Sequence, residues 1–350
     1  ITVTLNATPL ISKVYDGTTG ATLAAGNYTL NNVETGDEVT VSGTAAYDTK
    51  DAGTGKTITA TGFVLAGAQK DNYTLTTTTA STTGTIAAKP ITVSLNPTPV
   101  ISRTYDGTTG ATLAAGNYTL NDVEAGDEVA VAGTASYDTK AAAIGKTITV
   151  NSFVLAGAQK DNYSLTTTTA STTGTITAKP ITVTLNATPA ITRVYDGGTG
   201  ATLAAGNYTL NDVETGDEVT VSGTAAYDTK NAGTGKTITV TGFVLAGAEK
   251  DNYSLTTATA TTTGTITAKP ITLALNAAPV ISKTYDGTTG ATLAPGNYTL
   301  SDVETGDEVT VSGTASYDTK ATGTGKTVTV NTFVLAGAQK DNYTLTTTTA

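Results

Sequence analysis

The 350-residue sequence predicts an all-β chain, built of tandem antiparallel β-sandwich domains in an elongated array. Three observations predict it. The run ITVTLNATP begins at Ile1, and close variants begin at Ile91, Ile181 and Ile271, a spacing of 90 residues with no insertion or deletion. Within each copy, apolar and polar residues alternate with the period of two that belongs to a half-buried strand. Turn signals break this alternation roughly every 10 residues, the rhythm of short strands in an immunoglobulin-like sandwich.

The period sets the domain organisation. It is too long for one coil of a solenoid or one propeller blade, which run about 20–50 residues, and long enough for a small independent domain. The reading is four sandwich domains at 1–90, 91–180, 181–270 and 271–350. The fourth stops at Ala350, short of the ending written STTGTIAAKP at 81–90, STTGTITAKP at 171–180 and TTTGTITAKP at 261–270, so it lacks the final strand. Beginning at Ile1 without a signal peptide, the chain reads as a piece of something longer. The copies are nearly identical, so recurrence of a residue in all four is weak evidence that it has a task.

Within the first copy, strands are expected at Ile1–Leu5, Val39–Ser42, Lys56–Thr59 and Tyr73–Thr76, where β-branched residues suit a pleated surface. Turns are expected at Asp16-Gly17, Gly26-Asn27, Gly36-Asp37, Gly53-Thr54-Gly55 and Lys70-Asp71-Asn72. The one helix-like stretch, Thr22–Ala25, is too short to matter. The inward side chains include Val3, Ile11, Tyr15, Tyr47, Ile58, Phe63, Tyr73 and Ile86, a thin core to which contacts with neighbouring domains contribute, as in other linear arrays. The copies join through Thr85-Ile86-Ala87-Ala88-Lys89-Pro90-Ile91, strand into strand, with proline holding Lys89 extended. At roughly 33 Å for a ten-residue strand, four such domains make a rod on the order of 140–160 Å.

Composition excludes much chemistry. The chain has no Cys and no His, and no Met or Trp. Thiol nucleophiles, disulfides, zinc-thiolate sites, imidazole bases and the usual catalytic triads are therefore absent. Charged residues are 14% of the chain and the net charge is −10, which makes it a poor ligand for nucleic acid or anionic membranes. No apolar run approaches the roughly 20 residues of a spanning helix. No enzyme activity, cofactor or membrane insertion is expected.

Five runs carry a resemblance. They are Lys13-Val14-Tyr15-Asp16-Gly17-Thr18-Thr19, Gly36-Asp37-Glu38-Val39-Thr40-Val41-Ser42-Gly43, Gly53-Thr54-Gly55-Lys56-Thr57-Ile58, Leu65-Ala66-Gly67-Ala68 and Asp71-Asn72-Tyr73-Thr74-Leu75. In this order and spacing the chain resembles the YDG domain of large bacterial surface proteins, with the Tyr-Asp-Gly string recurring at Tyr105, Tyr195 and Tyr285. The resemblance covers essentially every copy. It implies a β-sandwich repeat of secreted or surface-anchored adhesins, filamentous-haemagglutinin-like exoproteins and biofilm-matrix proteins, where such repeats act as spacers. It brings no enzymatic residues.

Several constellations have both a functional and a plainer reading. The acidic cluster Asp122, Glu124, Asp127 and Glu128 recurs at Glu34/Asp37/Glu38, Asp212/Glu214/Asp217/Glu218 and Asp302/Glu304/Asp307/Glu308. Oxygen ligands around a Gly turn suit Ca²⁺, but the longer Asp-x-Asp-x-Asp-Gly pattern is missing and a solvated turn is the plainer reading. The junction shows Lys89 and no acid, so rigidity without metal is expected. Tyr15-Asp16-Gly17 offers the elements of a sugar platform, or simply a packed ring followed by a capped turn. Lys56 with Asn72 or Asn27 is the one formal isopeptide pair. The Thr run 74–85 reads as a solvated edge strand before an ice-binding face. The open edge of the fourth copy reads as truncation, or as an acceptor for strand addition.

The sequence thus points to a non-enzymatic spacer or stalk of an extracellular adhesin or matrix fibre at the bacterial cell surface. Its expected partners are neighbouring repeats, flanking domains and other copies in a fibre. The alternatives are a repeat-borne glycan or cell-surface binding module, or a filament subunit joined by strand addition.

Overall fold

The computed structural model describes residues 1–350 and is all-β, with only three-residue 3₁₀ turns as helical structure. It divides into two compact units, residues 1–177 and 178–350. Each holds two repeats.

In the first unit the first repeat runs β1 (Thr2–Leu5), β2 (Ser12–Val14), β3 (Gly20–Ala21), β4 (Tyr28–Asn31), β5 (Thr40–Tyr47), β6 (Gly53–Ala66) and β7 (Thr79–Ala87). The second repeat runs β8 (Lys89–Leu95), β9 (Ser102–Thr104), β10 (Gly110–Ala111), β11 (Tyr118–Asn121), β12 (Ala130–Tyr137), β13 (Ala143–Ala156), β14 (Tyr163–Leu165) and β15 (Thr169–Thr177).

Each of these repeats carries a five-stranded sheet, ordered β2-β7-β6-β5-β3 in the first, and a smaller sheet, β1-β4 in the first and β11-β8-β14 in the second. Of these, all but the two-stranded β1-β4 sheet are mixed rather than purely antiparallel. β2 pairs parallel to β7 through Ser12↔Thr85, Lys13↔Ile86 and Val14↔Ala87, and β14 pairs parallel to β8. The turn between β1 and β2 carries a cis Thr8-Pro9 bond; β1 pairs with β4 in the smaller sheet and β2 with β7 in the larger. β7 is flanked by β2 and β6, so the Thr-rich strand lies inside its sheet instead of at the edge expected from sequence.

β6 is longer than its alternation suggests. The chain does not turn at Gly53-Thr54-Gly55; it bulges there, with the register against β7 shifting between Gly53 and Lys56, and Gly55 takes φ 65°. A second shift, between Ser42 and Thr44 of β5, faces a residue in the same left-handed region: Gly62 in the first repeat, Ser152 in the second, Gly242 in the third and Thr332 in the fourth.

Beyond the strands, Asn27 is buried. Its Oδ1 accepts from Ala24 N at 2.9 Å, and its Nδ2 donates to Pro9 O at 2.6 Å and Asn6 O at 3.1 Å. One amide thus closes the Gly26-Asn27 turn on the β1–β2 loop, where backbone groups would otherwise lack partners.

The core does not stop at the repeat boundary. Ile11, Tyr15, Tyr47, Ile58 and Ile86 of the first repeat form one buried cluster with Ile91 and Tyr163 of the second. In the second unit Ile191, Tyr195, Tyr227, Ile238 and Ile266 do the same with Ile271 and Tyr343. Ala88 alone separates β7 from β8, and Lys89-Pro90 already pair with Tyr163-Ser164 of β14.

Candidate functional site

The most organised polar cluster is the joint between the two repeats of each unit. It begins with the Tyr15-Asp16-Gly17 turn. Asp16 Oδ1 accepts from Thr18 N at 2.9 Å, Thr18 Oγ1 at 2.8 Å and Lys13 Nζ at 2.7 Å, and Gly17 takes φ 73°. The Lys13 ammonium beside Asp16 is the main reason its carboxyl falls to about 2, although burial pulls the other way. The turn aims the Tyr15 ring inward, where it is 1% exposed. It is therefore no sugar platform.

The Tyr15 hydroxyl donates to Asp127 Oδ2 of the second repeat at 2.7 Å. Tyr163 donates to the same oxygen at 2.6 Å and accepts from Glu124 N at 3.0 Å. Lys50 Nζ reaches Asp127 Oδ1 at 3.4 Å. The two tyrosine rings meet edge to face, centroids 5.4 Å apart at 73°. Nearby, Asn162 Oδ1 accepts from Ala52 N at 2.8 Å and its Nδ2 donates to Asp51 Oδ1 at 3.2 Å.

The Asp127 side chain is 5% exposed. Burial alone pushes its carboxyl upward, but hydrogen bonds from Tyr163, Tyr15 and Lys50 outweigh it and hold it below the ordinary value. Tyr163 and Tyr15 move up for the complementary reason, burial first and the Asp127 acceptor second. The arrangement is a charged acceptor with two hydroxyl donors, which keeps the carboxylate ionised and the phenols protonated.

The second unit repeats the arrangement. Tyr195 and Tyr343 donate to Asp307 Oδ2 at 2.7 and 2.6 Å, and Lys230 lies 3.4 Å from Oδ1. The rings stand 5.5 Å apart at 76°. Asn342 takes the place of Asn162 and accepts from Ala232 N at 2.8 Å. Burial, then Asp307, pushes Tyr195 up to about 12.

The expectation that the junction holds Lys89 and no acid is corrected by these contacts. Lys89 Nζ is 2.5 Å from Glu124 Oε1, and Lys269 is 2.5 Å from Glu304. The acid comes from a loop 35 positions away, which folding brings back to the leading strand. The four carboxylates considered as calcium ligands diverge. Asp122 is exposed at a φ of 70°, Glu124 pairs with Lys89, Asp127 enters the joint, and Glu128 is exposed while its backbone N donates to Gln159. No three acidic side chains converge as a metal would require. Lys56 is engaged by Thr49 and Asp48, whereas the amide of Asn27 is committed to the Gly26-Asn27 turn.

Sequence reasoning missed the shared tyrosine–aspartate contact and the Asn162 bridge. The only signal was the presence of Tyr15, Asp37, Asn72 and Tyr73 in every copy, which near-identical copies render uninformative.

The YDG domain family matches residues 2–80, 87–170, 177–262 and 267–350. No curated protein matches the chain.

Proposed function

The chain belongs to the YDG domain family in all four repeats, and on that premise we propose that it is a non-enzymatic spacer, a stalk segment of an extracellular adhesin or matrix fibre at the bacterial surface. We read each two-sheet repeat as an immunoglobulin-like sandwich variant in which the opening strand is divided between the sheets. The observation that carries the spacer reading is the joint: Tyr15 and Tyr163 on Asp127 in one unit, Tyr195 and Tyr343 on Asp307 in the other. A linker that must bend freely does not invest a buried aspartate, two tyrosines, a lysine and a shared core in each contact. These groups fix one repeat against the next, and their shifted acidities are accounted for by that contact. A composition without Cys or Met suits an exposed, oxidising location.

Negative-stain images of the full chain, with calcium and with chelator, test the reading. Discrete rods unchanged by chelator are expected, with the Asp127→Ala/Asp307→Ala chain visibly more bent. Saturable binding of glycans or cells by the repeats, above a scrambled control, would replace the spacer with a binding module.

A further inference from the structure

The repeats are near copies, so a place where one departs from the other three carries more information than a place where all agree. At six positions the first, third and fourth repeats share one residue and the second holds another: Pro97, Ala125, Ala130, Ala132, Ala143 and Ile144. The first repeat has Ala7, Thr35, Thr40, Ser42, Gly53 and Thr54 there. Every one of the six ends in an apolar residue, and four of the changes remove a hydroxyl. All six residues are exposed, so the core of the repeat does not account for them.

Three of the six lie on one surface, the outer face of the sheet ordered β10-β12-β13-β15-β9. At one end Ala130 and Ala132 of β12 stand opposite Ala156 and Val154 of β13, and Val154 is 66% exposed. At the other end of β13 the register against β15 shifts between Ala143 and Lys146, which leaves Ile144 and Gly145 opposite Thr175. Ala143 pairs with the inward Ile176, so Ile144 beside it turns outward and is 86% exposed. The outward residues between the two ends are threonine, serine and asparagine. The only charged residues on the five strands, Lys146 and Arg103, pair with the inward positions Gly174 and Ile176. The face thus carries no charge, in a chain whose net charge is −10.

We propose that this face of the second repeat pairs two copies of the chain, sheet against sheet about a two-fold axis. The two altered ends then account for each other. With the axis running across the strands near Thr149, midway between Ile144 and Val154, Ile144 of one copy meets Val154 and Ala156 of the other. Ala130 and Ala132 leave room beside that contact, and the contact is made twice. A second copy is the occupant because the face meets its own image without bringing like charges together, whereas the rest of an acidic chain repels itself. Its side chains are small enough for two sheets to close to about 10 Å. Eight residues of β12 across five strands cover on the order of 600 Å², or about 1,200 Å² for the pair, the lower end of what a specific dimer buries. The other repeats keep Thr and Ser at these places, so assembly stops at two copies. The proposal goes beyond the spacer reading and does not depend on it: an unpaired stalk and a paired protein of another function are both coherent.

The test is sedimentation velocity of the full chain between about 1 and 100 μM. A monomer–dimer equilibrium is expected. Ile144→Thr and the double change Ala130→Thr/Ala132→Ser install the residues that the other three repeats hold, so the fold is kept. Each is expected to weaken dimerisation about tenfold or more. The chain has no cysteine, so a single introduced thiol reports the geometry. Thr149→Cys, beside the axis, is expected to form a disulfide between copies under mild oxidation, and Thr59→Cys, at the same place in the first repeat, is not. A monomer at every concentration, a dimer indifferent to the changes at Ile144 and at Ala130 and Ala132, or equal cross-linking from Thr59 and Thr149 would each overturn the proposal.

Discussion

The hydroxyl of Tyr15 and the carboxylate of Asp127 are 2.7 Å apart, across 112 positions of sequence. The tyrosine belongs to one repeat and the aspartate to the next. The same carboxylate takes the hydroxyl of Tyr163 from its own repeat, so one side chain serves both domain packing and domain coupling.

Removing that acceptor is therefore expected to cost more than an ordinary surface aspartate. Asp127→Ala leaves two largely buried hydroxyls without their partner, at a cost of about 1–3 kcal/mol. Asp37→Ala in the first repeat, whose carboxylate holds the single tyrosine Tyr73, is expected to cost less. Urea denaturation of the full chain followed by tyrosine fluorescence distinguishes them. Equal losses would mean that the Tyr15 contact contributes nothing.

The joint also defines a pH window. Asp127 and Asp307 have folded values below the ordinary 3.8, so their contribution is present above that value and is lost as pH falls through the folded value. Asp16 and Asp286, at about 2, add to the same acid limb. Tyr195 has a folded value above the ordinary 10.0, so its contribution is present below pH 10.0 and is lost as pH rises toward about 12. Melting temperature is expected to hold a plateau between roughly pH 4 and 10 and to fall on both sides. A Tyr195→Phe/Tyr343→Phe chain is expected to lose part of the alkaline fall.

Gly84 tests the packing beneath β7. A Cβ there would stand 2.6 Å from Ile58 Cδ1 and 2.7 Å from Ile11 O. Gly84→Ala is expected to destabilise by about 1–3 kcal/mol through overpacking. Gly20→Ala, where a Cβ meets nothing within 4 Å, is expected to change stability by less than about 0.5 kcal/mol. Thermal melts of the two variants give the comparison.

Thr332 offers a change in the opposite direction. It holds φ 51°, where the first and third repeats place Gly62 and Gly242. A β-branched residue is strained in that region, and glycine relieves the strain at some cost in chain entropy. Thr332→Gly is expected to stabilise by about 0.5–1 kcal/mol, read as slower hydrogen exchange along Val328–Ala336. Faster exchange there would refute the assignment of strain.

Much of the fold was legible because strand alternation and turn chemistry are local. Ile1–Leu5, Lys56–Thr59 and the Asp16-Gly17 turn follow from neighbours in sequence, and Tyr15, Tyr47, Ile58 and Ile86 emerge as core from their place in the alternation. The parallel pairing of β2 with β7 was not legible, since a three-residue strand leaves almost no pattern. The joint was hidden for a different reason. With a 90-residue period, a tyrosine in one copy faces four nearly equivalent aspartates along the chain, and only tertiary structure decides which it meets. Lys89 looked unpartnered because Glu124 reaches it through a loop rather than through local spacing.

The pairing of β2 with β7 bears on how a repeat would respond to tension. β2 lies near the start of the repeat and β7 at its end, side by side and pointing the same way. Drawing the two ends apart slides one strand along the other, so the bonds joining Ser12–Val14 to Thr85–Ala87 carry load together in shear instead of peeling one after another. β8 and β14 repeat the geometry on the far side of Ala88. Chain tension would thus pass from one sheared pair to the next, with a single residue of slack between them.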